Sequence, residues 1–155
     1  MVLTLLPYAC SPLYRFPDPR VFSGTALLNP YDGLKSRWQR ANLHAHGTAW
    51  SGLTNGAQAD TDIVEHYRRM GYAVTGVSNY QHISAHDDVS TPPLYEHGYN
   101  ITKNHQLAIG ADRVEWFDFP LWQSLHNKQY VINRVARSAE LIALVHPKSR
   151  EAYSP

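Results

Sequence analysis

Between Asp60 and Ser78 a helical stripe runs directly into an apolar, β-branched run, and this junction limits the fold more than any other stretch of the chain. Asp62 and Glu65 stand at capping-box spacing, Ile63, Val64, Tyr67 and Met70 recur at turn spacing, and Gly71 sits where a helix would stop. Residues 72–78 (YAVTGVS) follow at once, with the texture of a parallel strand covered on both faces. Residues 106–110 (QLAIG) and 141–145 (LIALV) repeat that texture. A helical pattern over 127–139, with Tyr130, Val131, Arg134 and Val135 at turn spacing, precedes the second of them. Strand, helix, strand is the α/β pattern. Residues 1–38 carry five of the ten prolines and no sustained period, so they are expected to form an irregular N-terminal extension with one strand over 21–28. The α/β domain is then expected over 39–155.

At 155 residues the chain has the length of one domain or part of one. A formal charge of +1, with no Lys/Arg cluster, excludes nucleic-acid binding by a broad basic face. The single cysteine, Cys10, excludes an intrachain disulfide framework and any zinc site built on cysteines. No stretch approaches the ~18 apolar residues of a transmembrane helix. The start, MVLTLLPYAC, ends in Ala9-Cys10 like the tail of a lipoprotein export signal, yet lacks a basic region and carries Pro7 within its apolar stretch. Cytoplasmic and exported locations therefore both stay open, and nothing in the sequence fixes an oligomeric state.

Nine histidines are the compositional anomaly with chemical content. In α/β folds chemistry gathers where strands end. His44 and His46 close a short strand over 41–43, and residues two apart on a strand face the same way. His146 follows LIALV directly and precedes Pro147; His105 opens HQLAIG, and Glu96 lies in Tyr95-Glu96-His97-Gly98. Imidazoles mixed with a carboxylate suit Zn, Mn or Fe better than Ca or Mg.

This ordered set, above all RANLHAH, HQLAIGA and LIALVHP, resembles the PHP (polymerase and histidinol phosphatase) family of metal-dependent phosphoesterases. The resemblance spans about Arg40 to Pro147, some two thirds of the chain. It implies a partial, distorted (β/α)7 TIM-like barrel. It also implies a metal site of His44, His46, Glu96, His105 and His146, with Glu96 as the bridging carboxylate, holding two divalent ions. The reaction implied is hydrolysis of a small-molecule phosphate ester by a metal-activated water, with no nucleophilic side chain. Lys103 and Lys148, each near an expected ligand, are the candidates for holding the phosphate. Glu115 in RVEW is the reserve carboxylate.

Two departures from the family pattern carry weight. Where the family reads T-D-H this chain has Ser78-Asn79-Tyr80, and the acidic turn after HxH is replaced by Ser51-Gly52-Leu53. A third ion is therefore not expected; Asn79 is a further reserve ligand, and His82 and His86 are the nearby imidazoles that could compensate. The family's barrels contribute a further Asp and His after the His-Pro segment, so the resemblance implies a fragment of the barrel here. The competing expectation is a degenerate PHP-type pseudoenzyme that serves as a binding or interaction module, with Asn79 and Tyr80 recording the lost chemistry.

Overall fold

In the computed structural model, which describes residues 2–21, 23–25, 29, 31–33, 38–53, 56–84, 90–149 and 153, the chain builds three helices and five short strands. The helices are α1 (Val2–Ala9), α2 (Asp60–Arg69) and α3 (Leu125–Val135). Strands β1 (Ala41–Asn42) and β2 (Val74–Thr75) form a parallel pair. Strands β3 (Leu94–His97), β4 (Gln106–Ile109) and β5 (Leu141–Leu144) form an antiparallel sheet in that order. Among the described residues no barrel closes. The expected TIM-like barrel is therefore corrected to a small mixed α/β fold with two small sheets.

Chain connectivity explains the correction. Only residues 98–105 join β3 to β4, fewer than the dozen or so that a parallel crossover requires, so the two strands form a hairpin. Between β4 and α3 the chain makes an extended return leg. Its start is tied to the beginning of β3 by the Ala111 N–H donating to the Pro93 carbonyl (3.0 Å). Its far end is tied to the other end of the hairpin by the Tyr99 N–H donating to Asp118 Oδ2 (3.0 Å). Helix α3 climbs back, and β5 descends with Leu141 opposite Ile109 and Leu144 opposite Gln106. That extra leg makes β5 antiparallel to β4, although the strand-helix-strand pattern predicts parallel.

The two expected helices form, α3 ending at Val135 where its pattern predicts 139. In α2 Ile63 and Val64 are buried against Val77, Tyr67 packs beside them, and Met70 is exposed; Gly71 ends the helix at φ +82°. Helix α3 starts two residues earlier than its pattern predicts because Ser124 and Asn127 close a capping box, Ser124 Oγ accepting from the Asn127 N–H (3.2 Å) and Asn127 Oδ1 from the Ser124 N–H (3.0 Å). The expected strand over 72–78 pairs only at 74 and 75, but the chain stays alongside the 42–45 segment, with Gly76 N–H donating to the Asn42 carbonyl and Ser78 N–H to that of Ala45. Within the expected irregular extension, α1 is helical and Tyr8 stacks on Trp122 at 4.2 Å between centroids. The expected strand over 21–28 lies partly outside the described residues, and residues 21 and 23–25 form no strand.

Alternation along the three-stranded sheet sorts its two faces. Tyr95 and Ala108 point toward α3, where they pack with Phe119, Val131 and Val135. Leu94, Leu107 and Val145 occupy the other face with Leu43 and Ala143. Glu96 and His105 share that second face, so α3 braces the sheet from behind while the polar residues gather on the opposite side.

Candidate metal centre

Five of the residues read from the sequence meet around one carboxylate. Glu96, the third residue of β3, is fully buried, and its two oxygens divide the imidazoles between them. Oε2 lies 3.0 Å from His44 Nε2 and 2.9 Å from His46 Nε2. Oε1 lies 2.7 Å from His105 Nδ1 and 2.9 Å from His146 Nε2. His44 and His46 follow β1, His105 precedes β4 and His146 follows β5, so the sheets bring all five to one end. A parallel bridge between Tyr80 and Glu96 links the two sheets there: the Glu96 N–H donates to the Asn79 carbonyl (3.1 Å) and the Gln81 N–H to that of Glu96 (2.9 Å). His146 reaches the centre from a left-handed backbone, φ +34°, in place of the extended conformation usual before a proline.

Burial pushes the Glu96 carboxyl up, and the hydrogen bonds from His105, His44, His46 and His146 outweigh it, holding the group well below the usual carboxylate range. The group is thus an anion inside the protein, a state that costs several kcal/mol unless positive or donor groups surround it.

The donor set fits a divalent cation. His44, His46 and Glu96 form one group of three ligand atoms within 4.8 Å of one another, and Glu96, His105 and His146 form a second. The Nε2 atoms of His44 and His46 stand 3.3 Å apart while both face the same carboxylate oxygen. Ligands on a tetrahedral ion with bonds of ~2.0–2.1 Å stand about 3.3 Å apart, the same spacing. The far nitrogens of His46, His105 and His146 are buried without a hydrogen-bond partner among the described residues, so each of these rings makes its polar contacts at the Glu96 centre.

The reserve residues sit elsewhere. Glu115 pairs with Arg134 (3.1 Å) and accepts from the Phe117 N–H (2.8 Å), away from both ligand groups. Asn79 is a brace: its side-chain Nδ2 donates to both carboxylate oxygens of Asp60 (3.1 and 2.9 Å) and its Oδ1 accepts from the Gly47 N–H (2.8 Å). Ser84 Oγ also bonds Asp60, so the HxH segment, the start of α2 and the loop after Tyr80 are tied together. His82 faces Trp50 at 6.0 Å between centroids and stays out of the cluster, and His86 lies outside the described residues. Lys103 lines a cavity beside the centre, whereas Lys148 is exposed on the turn after His146.

Sequence reasoning missed the part played by Tyr80. Its ring packs on His46 at 4.6 Å and meets His105 edge-on at 5.4 Å, so it walls both halves of the centre. Burial, and then the Glu96 charge, push its hydroxyl up to about 12, which keeps it a neutral phenol. Its place after Asn79, where the family pattern has His, was the available signal; an aromatic wall was not the reading it invited.

Comparison with family models, with curated proteins and with solved structures finds no match to this chain.

Proposed function

We propose that this protein is a metal-dependent hydrolase of phosphate esters, with two divalent ions of the Zn, Mn or Fe type held by His44, His46, Glu96, His105 and His146. The observation that carries this reading is the partition of the imidazoles over the Glu96 carboxylate, one pair to each oxygen. A carboxylate with a separate imidazole pair on each oxygen is suited to bridging two ions. Ions so held would supply an activated water and neutralise charge on the phosphate oxygens. The chain's own part is to hold the ligands in a half-closed site. Glu96 and His105 are buried, His46 and His146 are partly so, and the exposed His44 leaves the approach open from one side. The order of RANLHAH, HQLAIGA and LIALVHP, which resembles the PHP pattern, supports phosphoester chemistry over other metal-assisted hydrolysis.

A second reading, a non-catalytic binding module, draws on Asn79, which stands where the family has a carboxylate and is spent on bracing Asp60 and Gly47. One experiment separates the two. Purified protein loaded with Mn or Zn is expected to hydrolyse a phosphomonoester about tenfold faster or more than chelated protein, and His44→Ala is expected to remove the gain. Equal rates with and without metal reject the hydrolase.

A further inference from the structure

A cavity of about 780 Å³ opens beside the metal centre, walled by Trp50, Tyr80, Tyr99 and Trp116, with Lys103 and the ligand His105 also in its lining. We infer that it receives the aromatic ring of an aryl phosphate, with the phosphate between Lys103 and the His105 side of the centre. This rests on the phosphoesterase reading for the reaction, but the occupant is argued from the cavity.

The volume lies within the ~300–1,000 Å³ of pockets that take small organic molecules, and far exceeds what a phosphate alone would fill. The walls are flat and aromatic. Trp50 and Trp116 meet at 74° with centroids 5.9 Å apart, making a corner. Trp50, Tyr99 and Trp116 are 46%, 52% and 57% exposed, so about half of each residue's surface is left uncovered by the fold. Two of these rings are also held in place: Trp50 Nε1 donates to the Tyr80 carbonyl (2.7 Å), and the Tyr99 hydroxyl to the Trp116 backbone carbonyl (3.2 Å). Fixed, exposed aromatic faces are the surfaces on which a planar ring stacks.

Charge narrows the occupant further. Lys103 is the one Lys or Arg among the described lining residues, and no Asp or Glu is among them. Its ammonium lies 5.7 Å from the Tyr80 ring centroid, at the edge of the aromatic wall nearest the metal ligands. It sits in a left-handed backbone, φ +60°, inside a loop in which the Asn104 N–H donates to Asn100 Oδ1 (2.8 Å) and Asn100 Nδ2 to the Asn104 carbonyl (3.1 Å). Among the described residues the non-glycine positions with positive φ are Trp50, Ser51, Gln81, Lys103 and His146. Three of them line this cavity, one adjoins Trp50 and one is a metal ligand. Backbone strain of this kind clusters at ligand-binding sites.

In the reaction inferred, water forms a new P–O bond and the P–O(aryl) bond breaks. The aryl oxygen leaves with the bonding pair and takes up the proton that water releases.

Calorimetric titration of the metal-loaded chain with phenylphosphonate and methylphosphonate tests the occupant without turnover. Phenylphosphonate is expected to bind about tenfold tighter or more, and Trp116→Ala to erase that preference while methylphosphonate binding is kept, which also reports that the variant is folded. Trp50→Phe, which keeps a ring in the wall, is expected to retain most of the preference. Equal affinity for the two phosphonates, or a preference that survives Trp116→Ala, overturns the inference even if metal-stimulated hydrolysis of phenyl phosphate is observed. A preference that behaves as expected, with no such hydrolysis, upholds the aromatic cavity and rejects the phosphoesterase reading.

Discussion

Glu96 is the residue on which the centre depends, because among the described residues it is the one carboxylate facing the four imidazoles, and it is itself fully buried. Glu96→Gln keeps the shape and removes the charge, so zinc affinity measured by competition with a chelating dye is expected to fall about 100-fold or more. Glu115→Gln, which alters the carboxylate paired with Arg134, is expected to leave zinc affinity unchanged. The reverse ranking would move the centre to the other acid. In the sequence Glu96 ranks first, because its distance to His105 and its Pro-rich approach fit the PHP pattern better, and Glu115 is the reserve. What separates them in the fold is the neighbour across the ladder: Glu96 pairs with Leu107 on the face that His105 shares, whereas Glu115 lies on the return leg beside α3.

That return leg is the element the sequence pattern hides. Residues 111–124 have no strand or helix period, yet Phe117 and Phe119 from this leg pack with Tyr130 of α3, and Arg134 lies over the Phe117 ring at 4.8 Å. The Glu115–Arg134 pair fastens the leg to the helix. Burial pushes the Glu115 carboxyl up, but the hydrogen bonds from Arg134 and the Phe117 N–H outweigh it and leave the group below its ordinary value. A carboxylate depressed in the folded state adds stability above the unfolded-state value, and that stability is lost as pH falls through the folded one. Thermal midpoints of Glu115→Gln are therefore expected to fall less steeply than those of the unaltered protein on acidification from neutral pH toward pH ~3. Parallel profiles would show that the pair does not couple leg to helix.

At the scale of the molecule, a metal that binds only the folded chain must stabilise it. Free ion at 100 times its Kd contributes about 2.7 kcal/mol, which for a chain of this length raises the thermal midpoint by roughly 5–10 °C. Calorimetry with zinc, after chelation and after zinc is restored is expected to follow that cycle, and an unmoved midpoint would show that the His/Glu cluster holds no ion. Much of this organisation could be read from residue order alone. Helices α2 and α3 show in their apolar stripes, the 106–109 and 141–144 strands in their apolar runs, and the four centre histidines in their positions at strand ends, while Glu96 enters through the resemblance to the PHP pattern. Those features depend on near neighbours, and turn spacing and alternation record near neighbours directly. Strand direction, the absence of a closed barrel among the described residues, the bracing use of Asn79 and the aromatic cavity belong to the tertiary structure. Each depends on how many times the chain reverses between distant segments and on which faces then meet, and no local pattern carries that count.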